Sequence, residues 1–120
     1  IVTVTGKVEH PEAVISALDF GILASLGSEA IARAALEIMA CGVPLISSTT
    51  GVMPDLVPDF CSFAPGDPQA MAERMVQALD AEWRRELARI CLERIFQGGL
   101  RLEDFLSATL KVYEQASRRA

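Results

Sequence analysis

Ser28-Glu-Ala-Ile-Ala-Arg-Ala-Ala-Leu-Glu-Ile-Met-Ala-Cys-Gly-Val-Pro-Leu-Ile-Ser-Ser48 reads as a helix that stops at a glycine and feeds a short buried strand. Gly42 suits the left-handed position after a helix end, Pro44 cannot continue the helix, and Leu45-Ile46 opens a strand. Ser28 is an N-cap residue type, and Gly27 before it permits a tight strand-to-helix turn. The charged side chains of this helix are Glu29, Arg33 and Glu37, at i, i+4 and i+8, within about 80° of arc. Two readings of that stripe are open. It is either the solvated edge of a core helix, with weak i,i+4 pairs of about 0.2–0.5 kcal/mol, or it faces a ligand. A helical rise of about 12 Å from Glu29 to Glu37 would suit two acceptors on one elongated polar molecule, and Arg33 would orient both carboxylates.

Upstream, Ile1-Val-Thr-Val-Thr5 is expected to be a strand that ends at Gly6-Lys7. His10-Pro11 opens a helix, with Val14, Ile15 and Leu18 on one face and His10 as a cap or surface group. Asp19-Phe-Gly-Ile-Leu-Ala-Ser25 is the short apolar run of a central parallel strand. Its carboxyl end meets the helix N-terminus at Leu26-Gly27-Ser28, the corner of an open α/β sheet where ligands bind and backbone N–H groups favour phosphate.

Downstream, Ser47-Ser-Thr-Thr-Gly-Val-Met-Pro54 forms a second loop at the same end of the sheet, with hydroxyls and Gly51 available to a ligand. Asp55 to Pro58 allows a helical turn, and Cys61 to Ala64 a minor last strand. Asp67-Pro68 caps and starts a helix with Met71, Met75, Ala78 and Leu79 on one face. The next helix buries Trp83, Leu87, Ile90, Cys91 and Phe96 and stops at Gly98-Gly99; the last, Leu102 to about Ser117, turns Phe105, Leu106, Thr109, Val112 and Tyr113 inward.

The alternation implies an α/β fold, the latter part of a Rossmann-like, doubly wound parallel sheet of about four strands with a helical C-terminal end. The 120 residues make one domain, and the start at Ile1 without an initiator Met suggests a piece of a longer protein. A hydrophobic fraction of 51% calls for strands buried on both faces, since no apolar run approaches a membrane span of ~20 residues. A net charge of −5 without a basic cluster argues against nucleic acid. Cys41, Cys61 and Cys91 lack disulfide or metal-ligand spacing and read as core thiols of a reduced, cytoplasmic protein.

The pattern Ser25-x-x-x-Glu29-x7-Glu37-x-Met-Ala-x-Gly-x-Pro-Leu-Ile-Ser resembles the motif of retaining, nucleotide-sugar-dependent glycosyltransferases of the GT-B fold. Val4-Thr5-Gly6, the run Asp19 to Ser25, Gly51 with Pro54-Asp55, Phe63-Ala-Pro-Gly-Asp67 and the last helix are also similar to that family, so the resemblance covers nearly the whole chain. It implies the partial C-terminal, donor-binding domain of an enzyme that moves a hexose-like sugar to a saccharide, lipid or other hydroxyl acceptor. The N-terminal acceptor domain is absent, and bacterial cell-surface glycan synthesis is the implied setting. Glu29 would be the catalytic carboxylate at the donor sugar, and Glu37 would accept from the ribose hydroxyls. The diphosphate would lie near Gly27 and Ser28, and Ala30, Ile31, Ala32, Arg33, Thr50 and Gly51 would complete the donor site. No cofactor or metal is implied, the nucleotide sugar being substrate; no nucleic acid and no transmembrane segment enters, and peripheral membrane association of the whole protein is compatible.

The chain departs from the family at several places: Ala30 and Ala32 stand where glycines usually follow the first Glu, Val52 replaces a second glycine, Asp55 a Glu, and Ala24 the Pro before the motif Ser. Such replacements would also fit a non-catalytic Rossmann-like binding or assembly module. A nucleotide-sugar epimerase on the same fold would need an acid/base group, which this segment does not supply. The cationic partners of the diphosphate and the acceptor site would lie upstream, so the 120 residues alone are not expected to transfer sugar.

Overall fold

In the computed structural model, which describes residues 2–118, three short parallel strands carry the architecture. The elements in chain order are α1 (Pro11–Ser16), β1 (Gly21–Leu23), α2 (Arg33–Ala40), β2 (Leu45–Ser48), α3 (Met53–Leu56), a 3-10 turn (Asp59–Cys61), β3 (Ser62–Phe63), α4 (Pro68–Gln77), α5 (Ala81–Gln97) and α6 (Leu102–Ser117). The strand order is β1-β2-β3, with Gly21, Ile22 and Leu23 opposite Leu45, Ile46 and Ser47, and Ser47 and Ser48 opposite Ser62 and Phe63.

β2 lies in the middle and all four of its residues are buried, so its successive side chains feed opposite faces of the sheet. Leu45 joins Ala35, Ile38 and Met39 of α2 and Leu87, Cys91 and Ile95 of α5 on one face. Ile46 joins Phe63, Ala78, Ile22 and Met71 on the other. Helices therefore cover both faces, the doubly wound arrangement expected from an apolar strand without polar alternation. Each fully buried Leu or Met in these clusters contributes about 1.5–3 kcal/mol of apolar burial.

Local signals set most element ends. Gly42 adopts φ +73° where α2 stops, and its N–H bonds the Met39 carbonyl at 3.0 Å. Asp67 accepts from Ala70 N at 2.9 Å before Pro68, and Asp80 accepts from Glu82 N at 2.7 Å and Trp83 N at 3.1 Å. Cys61 and Cys91 are buried and Cys41 is half-buried, all three as free thiols. Burial pushes the Cys61 thiol up to about 12 and raises Cys91 as well.

Several expectations fail for identifiable reasons. Residues 2–5 form no strand, because no neighbour offers a ladder; Val2 and Val4 stand in solvent, and Ile1 lies outside the described residues. The sheet thus has three strands among the described residues, and β1, expected at its centre, is an edge strand with β3 at the other edge. Ile15 of α1 packs against the core while Val14 and, beyond the helix, Leu18 are exposed; His10 meets its expectation as a surface group, exposed at the N-cap position beside Glu12 at 3.3 Å. On α4, Met75 and Leu79 are exposed; on α5, Ile95 takes the buried place expected for Phe96. The predicted apolar face of α6 exists but has nothing to pack on among the described residues: Phe105, Val112 and Tyr113 are 65%, 65% and 70% exposed. Periodicity identifies an apolar face, whereas its burial depends on a surface elsewhere.

Candidate functional site

The largest departure lies in the motif segment. α2 begins at Arg33, one turn later than Ser28 predicts, and residues 28–32 form an irregular loop. Ala32 occupies the N-cap in the left-handed region at φ 48°, ψ 44°, with no side-chain cap bond. A left-handed non-glycine residue costs roughly 1–2 kcal/mol, so tertiary bonds must hold the loop away from the helix its composition favours.

Those bonds come from the segment after β2. Val52 N donates to the Glu29 carbonyl at 3.0 Å, the acceptor that a longer helix would have spent on Arg33 N. Gly51, at φ +58°, lies so near that a Cβ there would stand 2.5 Å from the Glu29 carbonyl oxygen. Ser25 Oγ donates to Glu29 Oε1 at 2.5 Å, in the short range of hydroxyl-to-carboxylate bonds. Ser48 Oγ and Thr50 Oγ1 both lie 2.8 Å from the Ser25 carbonyl oxygen and 3.2 Å from each other.

Ser25, Glu29, Thr50 and Gly51 are thus brought together at the carboxyl end of the sheet, with Glu29 half-buried in the loop. The evenly spaced helical ruler is not formed: Glu29 is off the helix, while Arg33 and Glu37 are on it, Arg33 exposed. Arg33 forms no ion pair with either carboxylate among the described residues. Glu37 lines a cleft of about 340 Å³ with Pro11, Glu12, Ile15, Ala40 and Cys41, between α1 and α2. Ser28 is exposed and caps nothing, and Gly27 meets no atom within 4 Å of a Cβ and is not left-handed, so neither acts as the turn-and-cap pair expected. Ala30 and Ile31 are exposed in the loop and Ala32 is buried. Thr50 is buried, with its hydroxyl spent on Ser25.

Ser48 was not singled out by sequence reasoning. The available signal was a serine at the end of one parallel strand beside hydroxyls at the end of its neighbour.

A half-buried carboxylate in a loop that leads into an uncapped helix N-terminus suits a polar ligand with an anionic group. Residues 1–81 match the family model described as glycosyl transferases group 1. The chain belongs to that family. The solved structure of sucrose-phosphate synthase from Thermosynechococcus elongatus is similar to this chain, with a TM-score of 0.85 and 27% identity, over 99% of this chain and 31% of that one. The chain therefore spans about a third of the synthase's length, in a GT-B Rossmann-like segment. Comparison with curated protein sequences gives no match. Among the described residues, no helix is long and apolar enough to cross a membrane.

Proposed function

We propose that this chain is the donor-binding part of the C-terminal domain of a retaining glycosyltransferase, with a nucleoside-diphosphate hexose as donor. The observation that carries the reading is the placement of Glu29: a carboxylate anchored at side chain and backbone in the loop that leads into the bare N-terminus of α2. Glu29 would accept from hydroxyls of the donor sugar and favour the positive charge that develops at the anomeric carbon as the diphosphate leaves. The left-handed Ala32 followed by the right-handed first turn of α2 forms a concavity of N–H groups that suits a phosphate, and the exposed Arg33 can approach the same anion. Glu37, on the cleft beside α1, would accept from the ribose.

The acceptor, a saccharide or a lipid-linked hydroxyl, would bind a domain outside this segment. The protein would work in the cytoplasm, in keeping with its three free thiols. Comparison with the synthase supports the reading through the shared fold and family.

The test is calorimetry of the full-length protein with UDP-, GDP- and ADP-glucose, alone and with Glu37→Ala. Removing a hydrogen-bonding carboxylate should cost on the order of 1–3 kcal/mol of donor affinity. Unchanged donor affinity in Glu37→Ala would return Glu37 to the role of a solvated helix residue, and binding of none of the donors would refute the reading as a whole.

A further inference from the structure

Its loop position puts Thr50 at the ligand, yet it is 8% exposed and Ser48 is 1% exposed, so neither hydroxyl is open to a bound molecule. The geometry points to a different role, in which Ser25, Ser48 and Thr50 form a one-way hydroxyl relay that positions Glu29. This inference rests on the reading of Glu29 as the carboxylate at the donor sugar.

Proton accounting gives the relay its direction. Each hydroxyl has one proton to donate. Ser25 spends its proton on Glu29 Oε1, so its carbonyl is the group left to be held. Thr50 donates to that carbonyl, and Ser48 donates to the same oxygen or to Thr50 Oγ1. A carbonyl oxygen has two lone pairs and accommodates both donors. The relay also begins where the sheet ladder stops. β1 and β2 last pair at Leu23 and Ser47, and Ser25 lies two residues farther on, where side chains replace the backbone partner.

The helix cannot hold Glu29 in this way. Glu29 precedes α2 and is separated from it by the left-handed Ala32, so no intrahelical bond reaches it. Its side chain is held by Ser25 and its carbonyl by Val52 N, and both holders are tied to the end of β2. β2 is fully buried at the centre of the sheet, the most rigid support the segment has. Thr50 and Ser48 are therefore positioning residues, acting on a ligand through Ser25 and Glu29 without touching it.

Thr50→Val keeps shape and removes the hydroxyl, and Thr50→Ser keeps the hydroxyl. In the full-length protein, calorimetry with whichever of UDP-, GDP- or ADP-glucose the wild type binds, against the matching nucleoside diphosphate alone, should show three things. Thr50→Val weakens the sugar donor about tenfold while leaving the bare diphosphate unchanged. Thr50→Ser restores most of the loss, and in a Glu29→Ala background Thr50→Val has no further effect. Equal weakening of the bare diphosphate, or an undiminished effect in Glu29→Ala, would overturn the relay.

A second readout needs no ligand. Hydrogen exchange at the Val52 amide, which bonds Glu29, should speed up about tenfold in Thr50→Val and in Ser25→Ala beyond any change at the slowest-exchanging core amides. Unchanged exchange in both variants would overturn the relay even if donor binding is intact. A wild type that binds none of the donors would sink the donor reading while the exchange result still decides whether the relay holds the loop.

Discussion

Gly51→Ala and Gly27→Ala replace two glycines that flank the same loop, and the structure predicts opposite outcomes. At Gly51, φ is +58°, so any side chain there meets the left-handed penalty of about 1–2 kcal/mol. The new Cβ would also stand 2.5 Å from the Glu29 carbonyl oxygen and 2.8 Å from its carbon and nitrogen. Backbone cannot be displaced as a flexible side chain can, so the 28–32 loop must shift and the 3.0 Å bond from Val52 N to Glu29 O is lost, at about 0.5–1.5 kcal/mol. The two costs together come to roughly 1.5–3.5 kcal/mol. At Gly27 nothing lies within 4 Å of a Cβ and φ is not left-handed, so alanine chiefly restricts the unfolded chain and should be neutral or stabilise by up to about 1 kcal/mol. Equilibrium urea unfolding followed by circular dichroism separates the two. With a slope of about 1–3 kcal/mol per molar, Gly51→Ala should lower the midpoint by on the order of 1–2 M and Gly27→Ala should not. A Gly51→Ala cost below about 1 kcal/mol, or a Gly27→Ala cost equal to it, would refute the claim that Gly51 exists to admit the Glu29 backbone.

Four other predictions concern the frame around the site. Leu87 is fully buried between α5 and the sheet, so Leu87→Ala should destabilise by about 2–5 kcal/mol in the same unfolding assay. Asp67→Ala removes the cap bond to Ala70 N and should cost about 0.5–2 kcal/mol, with Asp67→Asn recovering most of it. In the native protein a thiol reagent should modify the half-buried Cys41 and reach Cys61 and Cys91 only on unfolding. Burial raises the Cys61 thiol from 9.0 to about 12, so its contribution to stability is fully present below pH 9 and is lost as pH rises through 9 toward 12. Stability that is flat across that interval would contradict the burial of this thiol.

Much of the frame was legible because its signals are local. Gly42 ends α2 through a left-handed φ that other residues resist, Pro44 has no N–H with which to extend the helix, and Asp67 caps the chain at Pro68. These are properties of one residue and its nearest neighbours, and they hold wherever the chain goes. Leu45-Ile46 after Pro44 likewise announced the short buried strand β2.

The motif residues were legible in the sequence, and their arrangement was not. Ser28-Glu-Ala-Ile-Ala32 is good helix sequence, and only competition from Val52 N, Ser25 Oγ and the close approach of Gly51 pulls it into a loop. Those partners come from the other end of β2 or from the strand before, so no local window contains the contest. The same reason separates Thr50, a buried support, from the ligand-facing hydroxyl that its loop position suggested, and leaves the apolar face of α6 exposed despite its regular period. Residue chemistry chose which groups could meet. Long-range packing then chose which of them did, because a hydrogen bond or a buried face needs a partner that lies outside its own segment.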